Sequence, residues 1–190
     1  MKKILLLFYL LLITSICSIC CAQHLKFMGI PIDGSINAFQ TKLIRKGFRI
    51  SDRSKYSPIG VRSFEGYFTN KKVEIVVFYN AKTKDVCQCR VALDNVYKTM
   101  SEVQSDFDYY KNLLSRKYDG LTSDMIDDLK EDNRFSIAVV QQPIREGAPL
   151  LGFIELSIQE LDYGLGYSLW IDYEDTKNSS YNEQQNTNDL

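Results

Sequence analysis

Histidine occurs once in 190 residues, tryptophan once and proline four times, and no run of basic residues is longer than a pair such as Lys71-Lys72. Each scarcity removes a class of function. The one imidazole, His24, lies two residues past the point where an export leader would be cut, so a Ser-His-Asp or Cys-His device would rest on a chain end. The same scarcity argues against a zinc hydrolase, because several ligands must converge and histidine is the usual one. A formal net charge of −1 and the lack of a cationic tract argue against nucleic acid, whose phosphates require a surplus of Lys and Arg on one face. Neither GxGxxG nor P-loop spacing occurs, so Gly147, Gly152, Gly164 and Gly166 read as turn residues and no cofactor is implied.

Apolar length is concentrated at the N-terminus. Met1-Lys2-Lys3 is a basic start, and the stretch from Ile4 to Ile19, interrupted by Tyr9, Thr14, Ser15 and Ser18, is the apolar core of a secretory signal peptide. Ala22 at −1 and Cys20 at −3 fit cleavage between Ala22 and Gln23, which makes residues 1–22 the leader. A retained anchor fits less well, since about 16 residues fall short of the ~20 needed to span a bilayer and no charge cluster follows. Lipidation at Cys17, Cys20 or Cys21 also fits less well, because Ile16, Ile19 and Cys20 stand where a small residue should precede the cysteine. The expectation is a protein exported to the periplasm or the cell exterior, with no membrane span after cleavage.

Only Cys87 and Cys89 remain beyond the leader. Two residues apart on a strand, they would share a face yet close a very tight ring if bridged. They read first as core thiols. A strained or redox-active disulfide is the second reading, and metal ligation the third, for which two thiolates without further ligands are too few.

The remainder alternates short helical and extended patterns. Leu25–Met28 reads as a strand and Gly29–Gly34 as the turn after it. Ser35 then caps a helix with Ile36, Phe39 and Leu43 on one face, stopped at Gly47, with Phe48 packing back on Leu43. Strands are expected over Val61–Thr69, Lys72–Tyr79 and Val86–Asp94, with a tight turn at Asn70-Lys71 and a longer one over residues 80–85. The middle strand, apolar on both faces, should be central. In the third, Cys87, Cys89, Val91 and Leu93 alternate with Gln88 and Arg90. A second helix runs from about Ser101 to Tyr118, with Ser101 and Gln104 as a capping pair and a stripe of Val103, Phe107, Tyr110, Leu114 and Tyr118. Gly120 ends it, and an acidic segment over residues 124–132 carries a short helical pattern.

Three more strands follow over Phe135–Gln141, Gly152–Gln159 and Tyr167–Tyr173. Ile154, Leu156 and Ile158, then Tyr167, Leu169, Ile171 and Tyr173, point inward, while Glu155, Ser157 and Asp172 point out. Residues 176–190 are a polar tail, read as disordered. The fold class is α+β over residues 23–175: antiparallel sheet with helices on one side, in two tandem α-β-β-β halves at 25–94 and 95–175.

The stretch Phe27-Met28-Gly29-Ile30-Pro31-Ile32-Asp33-Gly34, followed by Phe39, Leu43 and Lys46-Gly47-Phe48, resembles the opening of small uncharacterised exported proteins of Bacteroidetes, as does the Cys-Ala-Gln junction. That resemblance implies no activity. By element order alone the chain is similar to the tandem helix-plus-sheet layout of the β-lactamase inhibitor protein and to the single unit of small outer-membrane assembly lipoproteins, which are binding modules. No motif aligns, and no functional residue carries over.

Two sets of side chains could carry function. Exposed aromatics suit recognition, and Trp170, Tyr163 and Tyr109 are the candidates, with burial of Trp170 beneath a helix as the plainer reading. Acidic residues gather at Asp124, Asp127, Asp128, Glu131 and Asp132, and again at Asp172, Glu174 and Asp175, where solvated faces are the plainer reading and paired carboxylates the functional one. Neither has calcium-loop spacing. The expected function is a non-enzymatic exported binding or envelope-associated protein engaging a protein or glycan of the cell envelope. The alternative is a carboxylate-dependent hydrolase of envelope polysaccharide, and a purely structural domain is a third reading. Mass spectrometry of protein recovered from the periplasm or medium is expected to find a chain beginning at Gln23; intact chain from Met1 in the cytoplasm would contradict export.

Overall fold

A computed structural model describes residues 23–118, 133–141 and 147–179. The acidic segment 124–132, the Gly120 stop and residues 180–190 lie outside the described residues, as does the leader.

The expected strand at Leu25–Met28 is half of a small hairpin. Strand β1 (Lys26–Phe27) pairs with β2 (Ile30–Pro31) across Met28-Gly29, both at positive φ, so Ile30-Pro31 is extended rather than part of the turn. Helix α1 (Ile36–Arg45) then starts where Ser35 accepts the Ala38 amide at 3.4 Å, and buries Ile36, Phe39 and Leu43. Its stop uses Gly47 at φ 92°, a left-handed conformation that glycine adopts without a Cβ clash, and the Phe48 amide bonds back to the Leu43 carbonyl at 3.2 Å.

Strand β3 (Arg49–Ile50) and a 3₁₀ turn (Asp52–Tyr56) lead to the three strands β4 (Val61–Phe68), β5 (Lys71–Tyr79) and β6 (Val86–Leu93). The β4–β5 turn is Thr69-Asn70, one residue earlier than expected, because those two residues take the positive φ that a two-residue hairpin needs. Helix α2 (Met100–Lys117) also starts earlier than the pattern implied. Its capping box is Thr99 with Glu102, not Ser101 with Gln104, and Val103, Phe107, Tyr110 and Leu114 form its buried stripe. Lys71 Nζ and the Tyr97 hydroxyl both donate to Asp106, fastening α2 to β5 and to the chain entering the helix. Among the described residues no helix is long and apolar enough to cross a membrane.

The second set of strands is β7 (Arg134–Val140), β8 (Leu150–Leu161) and β9 (Gly166–Asp175). All seven strands from β3 to β9 form one antiparallel sheet in the order β3-β4-β5-β6-β9-β8-β7, so β5 is indeed an interior strand. The order is that of two three-stranded meanders, each preceded by a helix, joined where β6 meets β9, with the short β3 added at the outer edge of β4. The α+β class expected from the sequence is the observed one.

Side-chain rows run across the whole sheet. Phe64, Ile75, Val91, Ile171, Leu156 and Phe135 are successive cross-strand neighbours on one face. Both helices lie on this face and share its core, and Phe48 sits so close to Gly66 that a Cβ there would come within 2.5 Å of its ring. The opposite face carries the alternate residues, among them Glu155, Asp172 and Ser157, as their parity implied.

Two expectations about the chain ends change. His24 is not ragged, and order continues past residue 175. Asp175, fully buried, accepts from the Leu25 amide at 2.9 Å and the Asn178 amide at 3.2 Å, and lies 3.1 Å from His24 Nδ1. The Asn178 side chain donates to the carbonyls of Ile32 (3.0 Å) and Val86 (2.8 Å), so residues 176–179 are tied to the body of the fold. Truncating the shared carboxylate would deprive the buried Leu25 amide, the half-buried Asn178 amide and an imidazole of their partner. Asp175→Ala is therefore expected to lower unfolding free energy by roughly 3 kcal/mol in urea denaturation; a loss under about 0.5 kcal/mol would contradict this clasp.

Candidate functional site

The face opposite α1 and α2, helix-free among the described residues, is built from the outward positions of five adjoining strands. In one row Val76, Arg90, Asp172, Glu155 and Ser136 are neighbours; in the next, Phe78, Gln88, Glu174, Phe153 and Ala138. Where β6, β9, β8 and β7 contribute to these rows, the surface holds a depression of about 390 Å³ between Arg90 on one side and Ser136 and Phe153 on the other.

Its centre is an ordered charge pair. Arg90 Nε donates to Asp172 Oδ1 at 2.8 Å, and Gln88 Nε2 donates to the same oxygen at 2.9 Å. The Arg90 guanidinium also lies 4.2 Å from the centroid of the Trp170 ring and 5.6 Å from that of Phe78. Stacking of this kind contributes about 1 kcal/mol and removes rotamer freedom from a long side chain. Phe153, 38% exposed, is the aromatic wall of the depression.

Three of the acidic residues singled out in the sequence separate here. Asp172 and Glu174 reach the depression and are joined by Glu155, whereas Asp175 points to the opposite face and is consumed by the clasp with His24. The aromatic candidates separate further. Trp170 is half-buried with no described helix over it; its indole N–H donates to Ser168 Oγ at 3.0 Å and its ring lies against Arg90, so it braces the site rather than offering a platform. Tyr163 is fully exposed at the tip between β8 and β9, with φ 60°. Tyr109 is exposed on α2, in the other layer, edge-on to Tyr110 at 5.2 Å. The three do not form one patch.

The cysteine pair also divides. A bulge opposite Phe78 and Tyr79 shifts the register of β6, so that Val86 rather than Cys87 continues the buried row. Cys87 lies in the bulge with its thiol 3.5 Å from the Phe78 carbonyl, Cys89 is fully buried, and no disulfide joins them. Among the described residues no group of three or more His, Cys, Asp and Glu is placed to hold a metal ion.

Arg90, Gln88, Ser136 and Phe153 were not foreseen as site residues. Phe153 had a signal: two residues before the outward Glu155, it shares its parity and is an aromatic side chain on a polar face. No family model matches the chain, nor does any curated protein or solved structure.

Burial pushes the Cys89 thiol well above the ordinary cysteine range, and the Asp172 carboxylate on the neighbouring strand adds to the shift. Thiolate is the reactive form, so at mildly alkaline pH Cys89 should be modified by a thiol reagent only as fast as the protein unfolds. Prompt labelling of Cys89 in native protein, read by peptide mass spectrometry, would contradict its place in the core.

Proposed function

We propose that the chain is an exported binding protein of the cell envelope, that its contact surface is the helix-free face of the sheet, and that its ligand is a glycan. The observation that carries this reading is the depression between Arg90 and Phe153, in which an aromatic wall stands among planar polar side chains. A sugar ring offers an apolar C–H face and several hydroxyls. Phe153 suits the first; the carboxylates of Glu155 and Glu174 accept from the second, and Gln88 and Arg90 donate to it. A protein partner is less well matched, because protein interfaces centre on a desolvated apolar cluster and the exposed aromatics here are dispersed. The leader read in residues 1–22 supports the envelope as the place of action.

A second reading, hydrolysis of envelope polysaccharide, is favoured by one feature. Glu155 and Asp172 are direct cross-strand partners, a relation that places Cβ atoms roughly 4.5–5.5 Å apart, near the ~5 Å carboxyl separation of retaining glycosidases. Against it, Asp172 Oδ1 is already engaged by both Arg90 and Gln88.

Retention on immobilised envelope polysaccharide tests both. Phe153→Ala and Arg90→Ala should each weaken binding about tenfold, or about 1.4 kcal/mol, while Tyr163→Ala and Tyr109→Ala leave it unchanged. Undiminished binding by the first pair would overturn the proposal. Release of reducing ends by the wild type and its loss in Glu155→Gln would establish the hydrolase instead.

A further inference from the structure

The carboxylates of the helix-free face are of two kinds. Glu65 meets Arg49 at 3.0 Å, Glu74 meets Arg53 at 2.9 Å and Asp172 meets Arg90 at 2.8 Å. Glu155 and Glu174 meet no cation among the described residues, and these two are the ones that border the depression beside Phe153. Phe153 faces Glu174 across β8 and β9, and Glu155 is its next neighbour along β8 on the same side. The charge of Arg90 is matched by Asp172, so among the described residues Glu155 and Glu174 are the carboxylates in excess here. Among the described residues, the depression therefore has an exposed aromatic ring bordered by two carboxylates without a matching cation.

We infer, resting on the glycan reading above, that the ligand is a saccharide bearing a free, protonated amine. An ammonium group placed at the Phe153 ring gains from the quadrupole of its face and from charge-assisted hydrogen bonds to Glu155 and Glu174. The same carboxylates repel uronates, sulfates and phosphates, so they select against anionic glycans as well as for a cation. Acetylating the amine removes the charge and leaves the two carboxylates without a counterpart.

Calorimetry distinguishes the cases. Protein produced from the full-length sequence is titrated with a β-1,4-linked glucosamine oligomer, with its fully N-acetylated counterpart of equal length, and with oligolysine. The glucosamine oligomer should bind about tenfold more tightly than the acetylated one, with the preference falling as salt rises. In the double variant Glu155→Gln/Glu174→Gln, which preserves shape, the two saccharides should bind equally while the thermal unfolding midpoint stays within a few degrees of wild type. Equal or tighter binding of the acetylated oligomer by the wild type overturns this inference and leaves the glycan reading standing. Binding of neither saccharide to folded protein overturns both. Tighter binding of oligolysine would replace the saccharide with a basic peptide.

Discussion

Five residue pairs between β6 and β9, from Gln88–Glu174 to Ala92–Trp170, hold the two three-stranded meanders in one sheet. The partners lie some eighty residues apart in the chain, so their union carries a large loop-closure cost and is of the kind that makes folding slow. What offsets that cost is visible on both sides of the seam. Toward the helices, Val91 meets Ile171 and Cys89 meets Tyr173, all buried; toward the other side, Arg90 meets Asp172. Remove this pairing and each meander would lose half of its core row. The depression would vanish with it, since its walls come from both sides of the seam.

The two faces of the sheet answer to different constraints. The inner face is filled by aliphatic and aromatic side chains beneath α1 and α2, as an antiparallel sheet with one covered side requires. The outer face places Glu155 directly opposite Asp172, an arrangement that like charges disfavour, and tolerates it because Arg90 and Gln88 hold Asp172. Leaving Glu155 and Glu174 beside an exposed phenylalanine does nothing for stability. Such a departure from what folding alone would favour is the physical ground of the binding proposal.

Local features were legible in the sequence wherever a short-range pattern decides them. The Ser35 cap and Gly47 stop of α1, the buried stripe of α2 and the inward parity of β8 and β9 all follow from spacing. Boundaries slipped where two polar residues competed for one role, as with Thr99 against Ser101, or where a bulge broke the alternation at Cys87. The candidate site was half legible. Asp172 and Glu174 drew attention in an acidic group with Asp175, which points to the other face, and Glu155 was expected to face outward, but only the order β6-β9-β8-β7 brings the first two together with Glu155, Arg90 and Phe153. Strand order depends on long-range packing, and no residue near Arg90 in sequence announces that Asp172 will lie beside it. For the same reason neither reading of Trp170, burial beneath a helix or an exposed platform, anticipated the guanidinium against its ring.

The central claim is that the depression at the β6–β9–β8 seam is where the ligand sits. Chemical-shift mapping by NMR, with protein titrated by soluble envelope glycan, tests it most directly. The account predicts that the shifts concentrate at Gln88, Arg90, Ser136, Phe153, Glu155 and Glu174, with the indole N–H of Trp170 responding through Arg90. Shifts confined to α2 around Tyr109, or to the hairpin tip at Tyr163, would contradict it.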